Sequence, residues 1–238
     1  MDEQVLSNSS ALTEQNKFIA RVYGWMSFAL MLTAVVSFGV AYFASVNPTF
    51  FKHLFGLGFY LLVIAEVIVV WVLSARIRKM SVAGATFGFI LYSILNGVTI
   101  SSIFIVYNIT SIVSLFLITA LTFGVMAVFG SVTKRDILSW GKYLFMALIG
   151  LILATILEFI LSLIFKQPFS MLNLLISVAG VIIFTLLTAY DAKKIFITSQ
   201  HSDGSDTFKK AAILGALELY LDFINIFLNL LRIFGKRR

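Results

Sequence analysis

The chain has 238 residues, 60% of them hydrophobic and only 12% charged. Soluble domains carry about 25% charged residues, so a water-soluble fold is excluded and an all-α integral membrane protein is expected. The formal net charge is +7, but the basic residues gather at the ends of apolar segments, as membrane proteins place them, so nucleic acid is not an expected partner. No cysteine is present, which excludes disulfides, thiolate metal sites and thiol nucleophiles.

Residues 1–17, MDEQVLSNSSALTEQNK, are polar and mixed in charge. They lack the basic start and short apolar core of a signal peptide and read as a polar cytoplasmic N-terminus. Apolar stretches of about 20 residues read as membrane helices. Seven follow within a membrane domain spanning 18–234: Phe18–Ala44, Phe55–Ala75, Val82–Tyr107, Ser111–Val132, Leu144–Phe165, Met171–Tyr190 and Ala211–Phe234. Connections are short, and only TSQHSDGSDTFKK, between the sixth and seventh stretches, reads as a true loop. Residues 235–238 form a basic tail.

Lys and Arg in the loops set orientation. Arg76, Arg78 and Lys79 follow the second segment; Lys134, Arg135 and Lys142 lie between the fourth and fifth; Lys193, Lys194, Lys209 and Lys210 lie between the sixth and seventh. The alternate loops carry only Lys52 and Lys166. The N-terminus and the basic loops are therefore expected in the cytoplasm. Seven full crossings then put the basic tail outside, against the rule. Either the last helix crosses because the bundle holds its polar groups, or it is re-entrant.

That last segment, AAILGALELYLDFINIFLNLLRIF, carries Glu218, Asp222, Asn225, Asn229 and Arg232 at spacings of 4, 3, 4 and 3. On a helix these form one polar stripe. An ionisable group at bilayer depth costs about 2.5 kcal/mol or more, so the stripe is expected to face protein or water. In the sixth segment Asp191, Thr188, Phe184, Gly180, Ser177 and Asn173 share a second face of small and polar residues. Consecutive helices usually pack as neighbours. Two facing stripes, each with an aspartate, suggest a carboxylate pair that titrates as a unit. Contact requires the sixth helix to continue past Tyr190, or the seventh to begin before Ala211.

Other polar residues have plainer readings beside the functional one. Glu66, in VIAEVIVVW, is either a structural charge paired with Arg76 or another helix, or part of the site. Glu158 can reach interfacial water by snorkelling. Asn225 and Asn229 can serve as interhelical hydrogen bonds. Gly84 and Gly88 form a GxxxG, which usually means close packing. His53 and His201 are far apart and do not make a metal site.

LELYLDFINIFLNLLRIFG (Leu217 to Gly235), Phe184–Asp191 and GFILYSILNGVTIS (Gly88 to Ser101) resemble the Bax inhibitor-1, or transmembrane Bax inhibitor motif, family. The resemblance runs from the first helix onward. It implies a central seventh helix wrapped by the other six. It also implies a passive, pH-sensitive calcium leak, with Asp191 and Asp222 as the sensor pair and weak calcium ligands. Calcium would be the transported ion; no cofactor is required. Glu66 and either Arg76 or Arg78 match a helix-two glutamate and a basic latch, while Glu218 receives no family role and is grouped with the pore-lining polar residues. Calcium takes six to eight oxygens, so one or two carboxylates with amide, carbonyl and water oxygens make a weak site, which a leak needs. Composition alone fits protons or sodium equally.

An intramembrane aspartyl protease is the enzymatic rival. Tyr190–Asp191 looks like the first presenilin-type motif, but the second needs Gly-x-Gly-Asp where this chain has Leu219-Tyr220-Leu221-Asp222. The Pro-Ala-Leu motif is missing, since the only prolines are Pro48 and Pro168. An enzyme is therefore not expected. A third reading is a modulator of a membrane-bound protease. With neither a retention signal nor a long tail, the chain is expected in a bacterial plasma membrane.

Overall fold

In a bilayer every backbone polar group must be satisfied within the protein, which leaves helices for continuous apolar runs. A computed structural model describes residues 2–54, 56–167 and 169–238, without side chains at 2–11, 48, 51 and 57. Phe55, the expected start of the second segment, and Pro168 lie outside the described residues.

The helices are α1 (Asp2–Val46), α2 (Pro48–Leu54), α3 (Leu57–Arg76), α4 (Val82–Ile100), α5 (Ile103–Val106), α6 (Ile109–Val132), α7 (Gly141–Phe165), α8 (Ser170–Ser199) and α9 (Asp206–Phe234). Among the described residues, seven helical stretches are long and apolar enough to cross a membrane. The protein is an all-α, multi-pass membrane protein.

The helices overrun the apolar windows. Helix α8 continues nine residues past Tyr190, and α9 starts at Asp206 rather than Ala211. Most of the expected TSQHSDGSDTFKK loop is thus helical, and the connection shrinks to residues 200–205. Hydropathy measures bilayer thickness, whereas a helix ends only where its backbone is recapped. Here the stop is a tight turn: Gly204 has φ +74°, which glycine adopts without strain. Hydrogen bonds from the Ser205 side chain and backbone N–H hold the Asp203 carboxyl below the usual carboxylate range. A depressed value means this turn's contribution is present above the unfolded pKa and is lost as pH falls through the folded one.

The residues group into two compact units. The first contains the chain up to Tyr107 with Ile197–Tyr220 and Arg238. Within it α1 meets α4 closely, since a Cβ at Gly97 would lie 3.0 Å from the Thr33 carbonyl. Gly88 packs on Leu73 of α3, whereas Gly84 meets only its own helix start, so half of the GxxxG makes an interhelical contact. Lys210 Nζ donates to the Arg78 carbonyl at 3.0 Å.

The second unit contains Asn108–Phe196 and Leu221–Arg237. Gly130 of α6 lies against the backbone of Ala189. Phe223 stacks edge-on with Phe116 at 5.2 Å and Phe123 at 5.6 Å. Lys193 Nζ donates to the Thr133 carbonyl at 2.6 Å. At the other end of α6, the Asn108 N–H donates to the Lys236 carbonyl at 3.1 Å.

Helix α9 is unbroken and, at 29 residues, about 43 Å long by helical rise. Its tail pairs with the connection between the third and fourth spans. The last segment is thus one continuous helix, long enough for a full crossing. Helix α9 is also the most enclosed span: 67% of its apolar window is buried, against 6% for the span containing α7.

Candidate functional site

The two polar faces expected in the last two spans are buried. On α8, Ser177 and Thr188 are inaccessible, and Asp191 is 8% exposed. On α9, Asp222 is 4% exposed and Asn229 6%. Asn225 and Glu218 are half-buried, and Arg232 is exposed at the helix end. Burial on α9 is not confined to the stripe, because Leu219, Tyr220 and Ile226 on its other sides are also fully enclosed.

Small residues let the faces approach. A Cβ at Gly180 would lie 2.7 Å from Asn229 Nδ2. Asn225 and Asn229 each donate their side-chain amide back to the carbonyl four residues earlier, at 2.8 Å. This leaves each side-chain carbonyl oxygen available as a ligand or acceptor. Both aspartates, Gly180 and Asn229 belong to the same compact unit.

A second polar cluster occupies the other unit and centres on Glu66. The Thr99 hydroxyl donates to Glu66 Oε1, and Asn96 Nδ2 donates to Oε2 at 3.3 Å. Asn96 Oδ1 accepts from the Tyr220 hydroxyl at 3.0 Å. Tyr220 also meets the Thr33 hydroxyl at 2.7 Å, and Thr33 donates to the Ser93 carbonyl at 3.0 Å. The chain therefore links α3, α4, α9 and α1. Two hydroxyl protons serve three contacts, so Thr33 and Tyr220 cannot satisfy all of them at once.

Of the two structural partners the sequence offered for Glu66, Arg76 or another helix, the one found is another helix, α4. Arg76 and Arg78 are both exposed, and Arg76 lies about 15 Å along the helix from Glu66, beyond the reach of its side chain. Hydroxyl and amide donors from α4 take the place of the cation. Glu158 is half-buried on α7. Among the described residues there is no group of three or more metal-ligating His, Cys, Asp or Glu side chains.

Residues 15–238 match the family described as "Inhibitor of apoptosis-promoting Bax1". The chain belongs to the Bax inhibitor-1 family. It is 47% identical to the inner membrane protein YbhL of Escherichia coli (strain K12) over 224 residues, 93% of this chain and 92% of that one. It is 40% identical to a protein of Borreliella burgdorferi over 94% of both chains. A third relative, from Deinococcus radiodurans, is 35% identical over 100% of this chain and 98% of its own.

For this Bax inhibitor-1 family member, reading the sequence located the stripes and the carboxylates but missed Thr33, Asn96, Thr99 and Tyr220 as partners. Asn96 and Tyr220 lie inside the family-like stretches GFILYSILNGVTIS and LELYLDFINIFLNLLRIFG. Their polar atoms, isolated in apolar runs, were the available signal. Thr33 carries no such signal, because a helical threonine usually bonds its own backbone.

Proposed function

We propose that this chain is a pH-sensitive calcium leak of a bacterial plasma membrane, gated by protonation of Asp191 and Asp222, with its N-terminus in the cytoplasm. The observation that carries the reading is the burial of both carboxylates on helices whose polar faces touch at Gly180 and Asn229. Helices α8 and α9 leave a short turn and run antiparallel. From the Gly180–Asn229 contact, Asp191 lies about 16 Å and Asp222 about 10 Å towards that turn by helical rise. Each is within roughly 20° of the contact meridian of its own helix at 3.6 residues per turn. Side chains lean towards the N-terminus of their helix. In an antiparallel pair this tilts Asp191 and Asp222 towards each other and narrows the difference of about 6 Å in level.

A carboxylate pair so placed is a weak oxygen site for a divalent cation and titrates as one unit. Protonation removes the negative charge that attracts the ion and changes the repulsion across the helix pair. Weak binding suits conduction, because the ion must leave again. Calcium is the cargo, held weakly by the two carboxylates and water, while the Asn225 and Asn229 carbonyl oxygens, successive turns further along α9, line the path it takes.

The test is flux by the purified chain in liposomes loaded with a calcium indicator, across a pH series. Calcium entry that changes with pH and depends on both aspartates is expected. Protein-free leak rates at every pH would overturn the proposal, and cleavage of a helical peptide in the same liposomes would point to the protease instead.

A further inference from the structure

A cavity of about 440 Å³ opens at the N-terminal end of α6, the end opposite Thr133. Its polar wall is Asn108, Thr110, Ser111, Ser114 and Lys236, the Asn108 Oδ1 being taken up by the Ser111 N–H at 2.9 Å; Leu115 and Phe234 supply an apolar side. It lies at the ends of two membrane spans, Ile109–Val132 and Asp206–Phe234, and hence at headgroup depth.

The hydroxyls here behave differently from others in the same helix. Thr119, Thr122 and Ser131 each donate to the carbonyl four residues earlier. Thr110 and Ser114 make no side-chain hydrogen bond among the described residues, and Ser111 Oγ only accepts, from the Lys236 N–H at 3.2 Å. Three hydroxyl protons are therefore left to donate into one cavity. The tail is tied to its mouth, because the Lys236 carbonyl accepts from the Asn108 N–H. This fixes three consecutive exposed cations, Lys236, Arg237 and Arg238, at a membrane end where no acidic side chain lines the cavity.

A wall of donors with a cation and no acid is the complement of a phosphate, which offers only acceptors. The apolar flank formed by Leu115 and Phe234 suits an acyl chain. We propose that this cavity binds the headgroup phosphate of an anionic phospholipid, with the Lys236 ammonium and the hydroxyls of Thr110, Ser111 and Ser114 donating to its oxygens. Such a lipid also accounts for a basic tail on the face where loop charge predicts none, since the tail then has a counter-charge of its own.

The full chain is reconstituted into phosphatidylcholine vesicles containing phosphatidylglycerol, extracted gently, and weighed with its retained lipids by native mass spectrometry. The wild type should retain phosphatidylglycerol in preference to phosphatidylcholine. Loss of one cation near an anionic headgroup should cut that preference about fivefold in Lys236→Gln, and Ser114→Ala should reduce it as well. Both positions are exposed, so neither change opens a core. Arg237→Gln with Arg238→Gln should change it less, because neither side chain lines the cavity. Retention in Lys236→Gln equal to wild type, or an equal loss in the double arginine variant, would overturn the site. Displacement of the lipid by millimolar inorganic phosphate would reassign the pocket to free phosphate and overturn the lipid proposal.

Discussion

Asn229 occupies the space that a Cβ at Gly180 would need, with Nδ2 only 2.7 Å from that position. The amide cannot swing away at no cost, because it is 6% exposed and already donates to the Asn225 carbonyl at 2.8 Å. This contact sets the register of α8 on α9, and with it the level of Asp191 relative to Asp222. Gly180→Ala should therefore lower the thermal midpoint in detergent by an amount equivalent to about 1–3 kcal/mol, the usual cost of overpacking. It should also blunt the pH response of flux by shifting the helices apart. Gly150→Ala, where nothing lies within 4 Å, is the control and should leave both unchanged.

Gly130 tests the same principle against a harder obstacle. A methyl there would strike the backbone of Ala189, which has no rotamer to change. Gly130→Ala should be more damaging than Gly180→Ala, and Gly124→Ala on the same helix should be silent, since that position faces open space. Melting curves of the three variants in one detergent decide the order. Equal midpoints for Gly130→Ala and Gly124→Ala would contradict the close approach.

These contacts mark how far the sequence could be read. Span number and type followed from composition, because about 20 apolar residues match a bilayer. The ends of α8 and α9 did not, since residues 191–199 and 206–210 are polar enough to leave the bilayer yet remain helical. The polar stripes were legible from a spacing of three and four, and Asp191 and Asp222 stood out as charges in apolar runs. The partners of Glu66 were not legible. Asn96, Tyr220 and Thr33 come from three other helices, and no local pattern encodes which of them meet. For Glu66 opposite charge offered Arg76 and burial offered another helix; distance along the helix decided for the second, α4.

Tyr220 is the hub of that cluster. Tyr220→Phe keeps its ring contacts with Phe89 and Tyr92, each at 5.9 Å, and deletes only the hydroxyl. Interhelical hydrogen bonds in membranes are worth about 0.6 kcal/mol on average and up to about 1.7 kcal/mol, so the loss should lie in that range. Thr33→Val removes the other end of the same bond. Because the two hydroxyls share their protons, the double variant should cost less than the sum of the single ones. Additive losses in a thermal or denaturant cycle would show that Thr33 and Tyr220 act independently.

Topology gives a prediction free of stability. With no native cysteine, single cysteines report their own side of the membrane. Helix α9 is an unbroken 29-residue helix, so Ser205→Cys and Arg238→Cys should react from opposite sides with an impermeant maleimide. With the proposed cytoplasmic N-terminus, Ser205 should lie in the cytoplasm and Arg238 should be the position labelled in intact cells. Labelling of both from one side would restore the re-entrant reading of the last segment.

The carboxylate pair makes the most demanding prediction. Asp191→Asn and Asp222→Asn should each flatten the pH dependence of calcium flux in liposomes, because one remaining carboxyl titrates without a charged neighbour. The double variant should add little, as expected of two groups acting as a unit. Asparagine keeps the size and part of the hydrogen bonding, so the bundle should survive, and a melting curve for each variant checks that it does. Glu66→Gln supplies the contrast: its carboxyl faces Thr99 and Asn96 in the other unit, so the pH midpoint set by the aspartates should stay in place. If Glu66→Gln moves the midpoint while both aspartate variants retain the wild-type profile, the sensor is the glutamate cluster and not the pair.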